Sequence, residues 1–285
     1  MQRVSWPQME TFDADWLALR ELVDHRSRAV ELIEPLVAAW ERGEWMRVVD
    51  LGSGTGSNVR YLASRLPSPQ RWTLVDHDPA HLRTVGNLKV NVPSCELAVV
   101  LGDIGSEGLR AVERADLVTA SALLDLVSAR WLDRLVAACV EAGCAALFAL
   151  NYNGKITWSA DDGPDAEVED PDDRVVWNAL SIHQVGDKGL GPSLGPDAGV
   201  SALRAFERVG YQCYFHPSSW RLGVDDAALV HRLVKGWAEA AAEILPQESD
   251  RISAWAARRS EVVSERRFML TVGHDDLLAL PRDSA

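Results

Sequence analysis

Apolar residues along this chain follow two rhythms. Short runs of apolar and β-branched residues end in Gly- or Asp-containing turns, as buried strands do. The runs predict strands over 48–51, 72–76, 99–104, 116–121, 144–152, 211–215 and 267–272. Between them, apolar residues return at helical spacing. Trp16, Leu19, Val23, Val30, Ile33, Val37 and Trp40 mark one or two helices over 13–42, with a break expected near Pro35. Val59, Tyr61, Leu62, Ala63 and Leu66 give a helix that stops at Pro67, and Asp78-Pro79 opens another that runs to about Leu88. Ser128 and Gly143 are an N-cap and a C′ glycine around a helix at 128–143. Further helices are expected at 175–183, 197–209, 225–245 and 248–265. Strands alternating with helices in this way predict a parallel sheet covered on both faces.

The first strand enters the turn Gly52-Ser53-Gly54-Thr55-Gly56-Ser57-Asn58. Glycines there let a ligand approach the backbone where a Cβ would collide, and ligands of such sheets sit at the carboxyl ends of the strands. The dinucleotide fingerprint would place its third glycine at position 57, which is Ser57. A pyrophosphate needs a bare helix N-terminus, and Ser57 and Asn58 put polar side chains there. The second strand ends at Asp76, 20 residues past Gly56, where a carboxylate would meet ribose hydroxyls.

With a third strand ending in Gly102-Asp103-Ile104 and a fourth ending at Ser121, the set resembles the class I S-adenosylmethionine (SAM) dependent methyltransferases, a Rossmann-like superfamily, in its bacterial small-molecule type. The resemblance implies an α/β fold with a seven-stranded, mostly parallel, doubly wound sheet, N-terminal helices and helical insertions covering the cleft. It implies SAM as cofactor, bound by Asp50, Gly52, Ser53, Gly54, Gly56, Ser57, Asn58, Asp76, His77, Asp103, Ile104, Ser121 and Ala122. An NAD(P)-dependent oxidoreductase and a SAM-binding protein without transferase activity remain the alternatives.

Composition narrows the partners. The net charge of −13 owes more than half its size to residues 159–174, where eight acids face Arg174 alone. That segment lacks the ligand order of a calcium loop and is expected to be a solvated, mobile loop. No basic patch with interleaved aromatics suggests nucleic acid, and the residues after the fourth strand, Ser121-Ala122-Leu123-Leu124-Asp125, lack the N-P-P-Y-type motif that marks amide- or base-methylating members of the family. Four cysteines without C-x-x-C spacing, no signal-peptide core and no run near the roughly 18 apolar residues of a membrane span point to a cytoplasmic protein with reduced thiols. No His/Asp/Glu set has metal spacing. A homodimer is compatible with this picture.

The chain reads as a single domain over 1–285: an N-terminal helical segment 1–44, a cofactor-binding core 45–152, a lid insertion 153–196, and a C-terminal part 197–285 that carries the helical pair 225–265. A small-molecule acceptor with a protonated oxygen or nitrogen calls for a base. His183 in the lid is the first candidate, Asp125 the second, and Tyr152 could assist. Asn151, Asp187, Lys188 and Trp220 are the candidate acceptor contacts.

Overall fold

A computed structural model describes residues 13–86, 88, 90, 92–160 and 168–282. Helices α1 (Ala14–Ser27) and α2 (Ile33–Gly43) lead into β1 (Arg47–Leu51), α3 (Ser57–Leu62), β2 (Gln70–Asp76), α4 (Pro79–Gly86) and β3 (Cys95–Leu101). There follow α5 (Leu109–Val112), β4 (Leu117–Ser121), α6 (Ala129–Ala142), β5 (Ala145–Ser159), α7 (Asp173–Gln184) and α8 (Ala198–Arg208). The chain then forms β6 (Gln212–Pro217), β7 (Trp220–Leu222), α9 (Ala227–Ile244), α10 (Ser249–Ser264) and β8 (Met269–Leu280). The strand order is β3-β2-β1-β4-β5-β8-β6, with β7 paired to β8. Strands β1 to β5 pair in parallel, and β8 runs antiparallel to β5, β6 and β7. The chain runs outward from β1 to β2 and β3, then crosses back to β4 on the other side of β1, so the crevice at the carboxyl ends of β1 and β4 is the place for a ligand.

Three apolar cores hold this sheet. On one face Leu36 and Trp40 of α2, with Val59 and Leu62 of α3, cover Trp72, Leu74 and Leu117. On the other, Trp131 and Leu135 of α6 and Phe206 of α8 cover Val49, Val118 and Phe148. The third core has a different origin. β5 and β8 are both longer than expected and run on together from Phe148–Leu277 to Ser159–Met269, through two register shifts. This ribbon carries α7, α9 and α10, whose Val176, Leu180, Val234 and Trp255 bury Trp158, Leu270 and Val272. Residues 153–159, assigned from sequence to a lid, are thus strand. Their polar stretch Asn153-Gly154-Lys155 is half exposed, which hid the strand from an apolar-run reading. The eighth strand, β7, is too short to stand out in the sequence.

Two further expectations change. The break in the first helical region lies at Arg28–Ala29, and Pro35 sits in the first turn of α2, where its missing N–H has no partner to lose. Arg28 leaves helical geometry, with ψ at 139°, and its side chain turns inward, to Asp276 at 3.2 Å. The acidic segment also differs where it is described; 161–167 lie outside the described residues. Asp170 and Asp172 pair with Arg258 at 2.6 and 2.7 Å, Asp172 with Arg251 at 2.6 Å, and Asp173 with Arg259. Trp255 Nε1 donates to Asp173 as well, at 2.8 Å. Opposite charges on α10 convert self-repulsion into docking. Among the described residues no helix is long and apolar enough to cross a membrane.

Arg259 is only 2% exposed, so removing its carboxylate partner strands a buried cation. Asp173→Ala is expected to lower unfolding free energy by about 3–5 kcal/mol in chemical denaturation. A loss below about 1 kcal/mol, the worth of a surface pair, would show that the pair does not anchor the segment.

Candidate cofactor cleft and active site

The cleft opens where the glycine turn leaves β1. Gly52, Gly54 and Gly56 hold φ of 63°, 53° and 85°, the left-handed region that favours glycine. A Cβ on Gly52 would stand 3.1 Å from Leu123, and one on Gly54 3.3 Å from Leu17. Asp76, at the end of β2, organises the turn: its Oδ2 accepts from Gly54 N at 2.7 Å and its Oδ1 from Asp78 N at 2.8 Å. His77 and His81 bring Nδ1 atoms to 3.7 and 3.6 Å from the same carboxylate.

Asp50 lies beneath the turn. Its Oδ1 accepts from Asn58 Nδ2 at 2.8 Å, while Oδ2, also buried, has no hydrogen-bond partner. Burial pushes its carboxyl up to about 7. Asn58 also donates to Thr119 Oγ1 at 2.8 Å and accepts from Arg28 Nη1 at 2.9 Å. Arg28 Nε reaches Asp276, whose carboxylate takes the backbone N–H groups of Ala29 and Leu150 at 3.1 and 2.7 Å. One buried network therefore ties β1, α3, β4, the α1–α2 junction, β5 and β8.

The cleft is lined by Asp50, Gly52, Ser53, Gly54, Ser57, Asn58, Asp76, His77, Ile104, Ser121 and Ala122, all named from sequence, and by Lys188. Of the other proposed cofactor contacts, Gly56 stays behind the turn, and Asp103 lines an adjoining depression with Arg134 and Gly189. Asp103 caps the following turn through Gly105 N and Ser106 N at 2.7 and 2.8 Å. Partial burial would raise its carboxyl, but hydrogen bonds from Ser106 and Gly105 hold it below the usual range.

The proposed catalytic and acceptor residues are spread more widely. His183 does not line the cleft; its Nε2 faces Glu243 of α9 at 3.5 Å. Tyr152 meets Gln184 and the charge of Asp125 behind the β4 end, and burial above all pushes its phenol up to about 12. Asn151 Nδ2 is held by the carbonyls of Phe148 and Asp275 at 3.1 and 2.9 Å, which pins the β5 bulge. Asp187 shapes its own turn by accepting from Gly189 N and Gly191 N. Trp220 stacks between the Arg20 guanidinium and the His274 ring, each at 4.8 Å. Lys188 and Leu190 reach the cleft on the side of Ile104 and His77, since Leu190 packs 3.6 Å from where a Gly105 Cβ would be.

The resemblance implied N-terminal helices over the cleft, but the sequence singled out no residue of α1 as lining it. Leu17, Arg20 and Asp24 line the cleft, and Glu21 and His25 fasten the helix to Arg60 and Ser57 of α3. Arg20 and Asp24 stand four residues apart, the spacing of any exposed helical ion pair, so only the fold shows them turned inward.

A sheet ordered β3-β2-β1-β4-β5-β8-β6 with a single antiparallel strand inserted next to the last, and a glycine turn after its first strand, decides the architecture. It is the class I methyltransferase fold. No family model matches the chain, and no curated protein matches it in sequence. Solved structures similar to it include the cyclopropane synthase MmaA2 from Mycobacterium tuberculosis, with 12% identity, 82% of this chain and 78% of that one covered, and a TM-score of 0.41. A SAM-dependent methyltransferase from Geobacter sulfurreducens, in complex with S-adenosyl-L-homocysteine, shares 14% identity over 92% of this chain and 98% of that one, at a TM-score of 0.41. Human N-acetylserotonin methyltransferase shares 17% over 70% and 50%, at 0.40. The strand order, not these likenesses, carries the assignment of this methyltransferase fold.

Behind the cleft, His274 is buried with its Nδ1–H donating to Val272 O at 3.0 Å. Burial, aided by the charge of Arg20, presses its imidazole down to about 3. The unfolded chain regains an ordinary histidine near 6.5. Stability from this group is therefore complete above that value and declines as pH falls toward 3, by about 1.4 kcal/mol per unit. His274→Phe should flatten the fall of denaturation free energy between pH 6.5 and 4 by an amount of that order. An unchanged slope would show that His274 is already protonated in the native protein.

Proposed function

We propose that the protein is a SAM-dependent methyltransferase acting on a small-molecule acceptor through oxygen or nitrogen, in the cytoplasm. The observation that carries this reading is the convergence, at the crevice between β1 and β4, of a tight glycine cradle, the Asp76 carboxylate and the unpartnered Asp50 Oδ2. These donors and acceptors suit a nucleoside with a cationic tail. The cradle has no room for Cβ atoms beneath Leu17 and Leu123, Asp76 can accept from ribose hydroxyls, and Asp50 offers an oxygen in need of a donor. When bound, SAM supplies a methyl group already activated by its sulfonium.

The oxidoreductase alternative fares worse at the same spot. The first turn of α3, where a pyrophosphate would dock, is covered by Ser57 and by His25, whose Nε2 lies 3.0 Å from Ser57 Oγ and 3.1 Å from its carbonyl. With the methyl pre-activated, the chain's work is to align the acceptor, exclude water and take up a proton. Leu17, Ala122, Leu123 and Leu126 supply an apolar wall for the first two tasks. For the third, Asp125 lies in the segment between the cleft-lining Leu123 and Leu126, whereas His183 is paired to Glu243 of α9.

Calorimetric titration of Asp76→Ala tests the cofactor. Hydrogen bonds to a charged group contribute about 1.5–3 kcal/mol each, so affinity for SAM and S-adenosylhomocysteine should fall at least about tenfold, with circular dichroism unchanged. Unaltered binding, or tight NADH binding by the wild type, would overturn the assignment. Among catalytic variants, Asp125→Asn is expected to reduce turnover of the true acceptor by about 10²–10⁴-fold and to remove the acidic limb of the pH–rate profile. Loss of that limb in His183→Ala alone would return the role to His183. A protein that binds SAM and methylates nothing in a metabolite panel would be the binding protein without transferase activity.

A further inference from the structure

Room and chemistry lie on opposite sides of one side chain. The cleft holds the glycine turn and Asp76 but encloses only about 130 Å³, whereas the adjoining depression encloses about 770 Å³ and is lined by neither. Pockets that take a whole small molecule run from about 300 Å³ upward. A nucleoside with an amino-acid tail therefore fits the cleft only where the cleft opens into the depression. Leu190 and His77 are the residues that line both. His77 is fixed in place by following Asp76 directly at the end of β2. Leu190 belongs to no strand or helix; it sits at the tip of a turn, half-buried, 3.6 Å from where a Gly105 Cβ would be.

That turn is built to move as a unit. Its neck is closed by Ser193 N, which donates to the Gly186 carbonyl at 3.3 Å. Beyond the neck, Asp187 Oδ1 accepts from Gly189 N at 2.7 Å and Gly191 N at 3.0 Å, and Asp187 bridges to Pro192. These bonds lie within the turn, so it can swing without stranding them. Gly189 and Gly191, at φ of 103° and 92°, give the tip a shape that other residues resist. The neck, by contrast, is fastened to the cleft wall: Leu194 N donates to Val127 O at 2.8 Å and Ser193 Oγ to Leu126 O at 3.1 Å. A fixed neck, a self-contained tip and an apolar side chain lodged between two cavities are the parts of a gate. We propose that residues 187–192 gate the cleft, with Leu190 as the bolt that withdraws to join cleft and depression when an S-adenosyl nucleoside enters or leaves. This rests on the methyltransferase reading above and adds to it a control on cofactor exchange. A side chain that merely lines a site slows only the ligand's departure, whereas a gate slows arrival and departure alike.

Stopped-flow binding and displacement of S-adenosylhomocysteine give both rates for wild type, Leu190→Ala and Asp187→Ala. Asp187 is exposed, so its variant is read instead if circular dichroism shows that Leu190→Ala misfolds. Loosening the gate should raise association and dissociation rates together by at least about fivefold, with the equilibrium constant kept within about threefold. Faster dissociation at an unchanged association rate would make Leu190 a plain contact. Two unchanged rates would make the turn a fixed wall. Either result overturns the proposal, because both lack the gain in association rate that only a gate predicts. Failure of the methyltransferase reading shows itself differently: the wild type would bind no S-adenosylhomocysteine in calorimetry, and both conclusions would fall.

Discussion

The structure turns on one carboxylate, Asp276. Buried at 1% exposure in β8, it holds Arg28 at the α1–α2 junction and two backbone N–H groups, that of Ala29 at the same junction and that of Leu150 in the β5 bulge. Arg28 passes the constraint to Asn58, which sets the orientation of Asp50 under the glycine turn. Each member satisfies another in a region where an unpaired charge would be costly. Its value lies in specifying geometry: a slip of one residue in β8 would turn Asp276 to the opposite face and leave Arg28 buried alone. The floor of the cleft is thus positioned by the strand most remote from it in sequence.

Around that floor, two additions define what the cleft can admit. Helix α1 crosses one side, clamped to α3 by Glu21–Arg60 and His25–Ser57 and to the region of α9 by Arg26–Asp226 and Asp13–Arg232. The β5–β8 ribbon, with β7 paired to it, sets Trp220 against Arg20, His274 against Trp220 and Tyr152 against His274. Two strained backbone positions lie at the same place. Ala122 and Leu150, at φ 51° and 54°, adopt the left-handed region without being glycine, one where β4 ends and one in the β5 bulge. Such strain persists only where the surroundings hold it; Ala122 N donates to Ala149 O and Leu150 N to Asp276.

What could be read from the chain beforehand was local. Asp50, the glycine turn and Asp76 announce themselves because a strand, a turn of restricted φ and a carboxylate lie within one short unit. The helix over 128–143 carries its own stop signs in Ser128 and Gly143. Pairings at long range left no such trace. Arg258 and Arg259 look like surface residues of an amphipathic helix until Asp170 and Asp173 are placed against them. The second half of β5 alternates too weakly to separate from loop, because only its pairing with β8 makes it a strand. Arg20 and Asp24 were hidden inside a helix whose apolar stripe was legible, on a face whose burial depends on the cleft below it.

The separation of Arg28 from Asp276, 248 residues, also bears on how the protein is made. During synthesis the five parallel strands leave the ribosome first and can pair among themselves, but β5 then exposes the edge that β8 will occupy. Until β8 arrives, Arg28 lacks its ion-pair partner and the carboxyl ends of the strands have no finished floor. Contacts so distant along the chain form late, after the closure entropy of the intervening loop has been overcome. The nascent protein therefore passes through a stage with an open sheet edge, the kind of surface on which chaperones and aggregation compete. Its ligand cleft is completed only once β8, the last of these strands in chain order, has been translated.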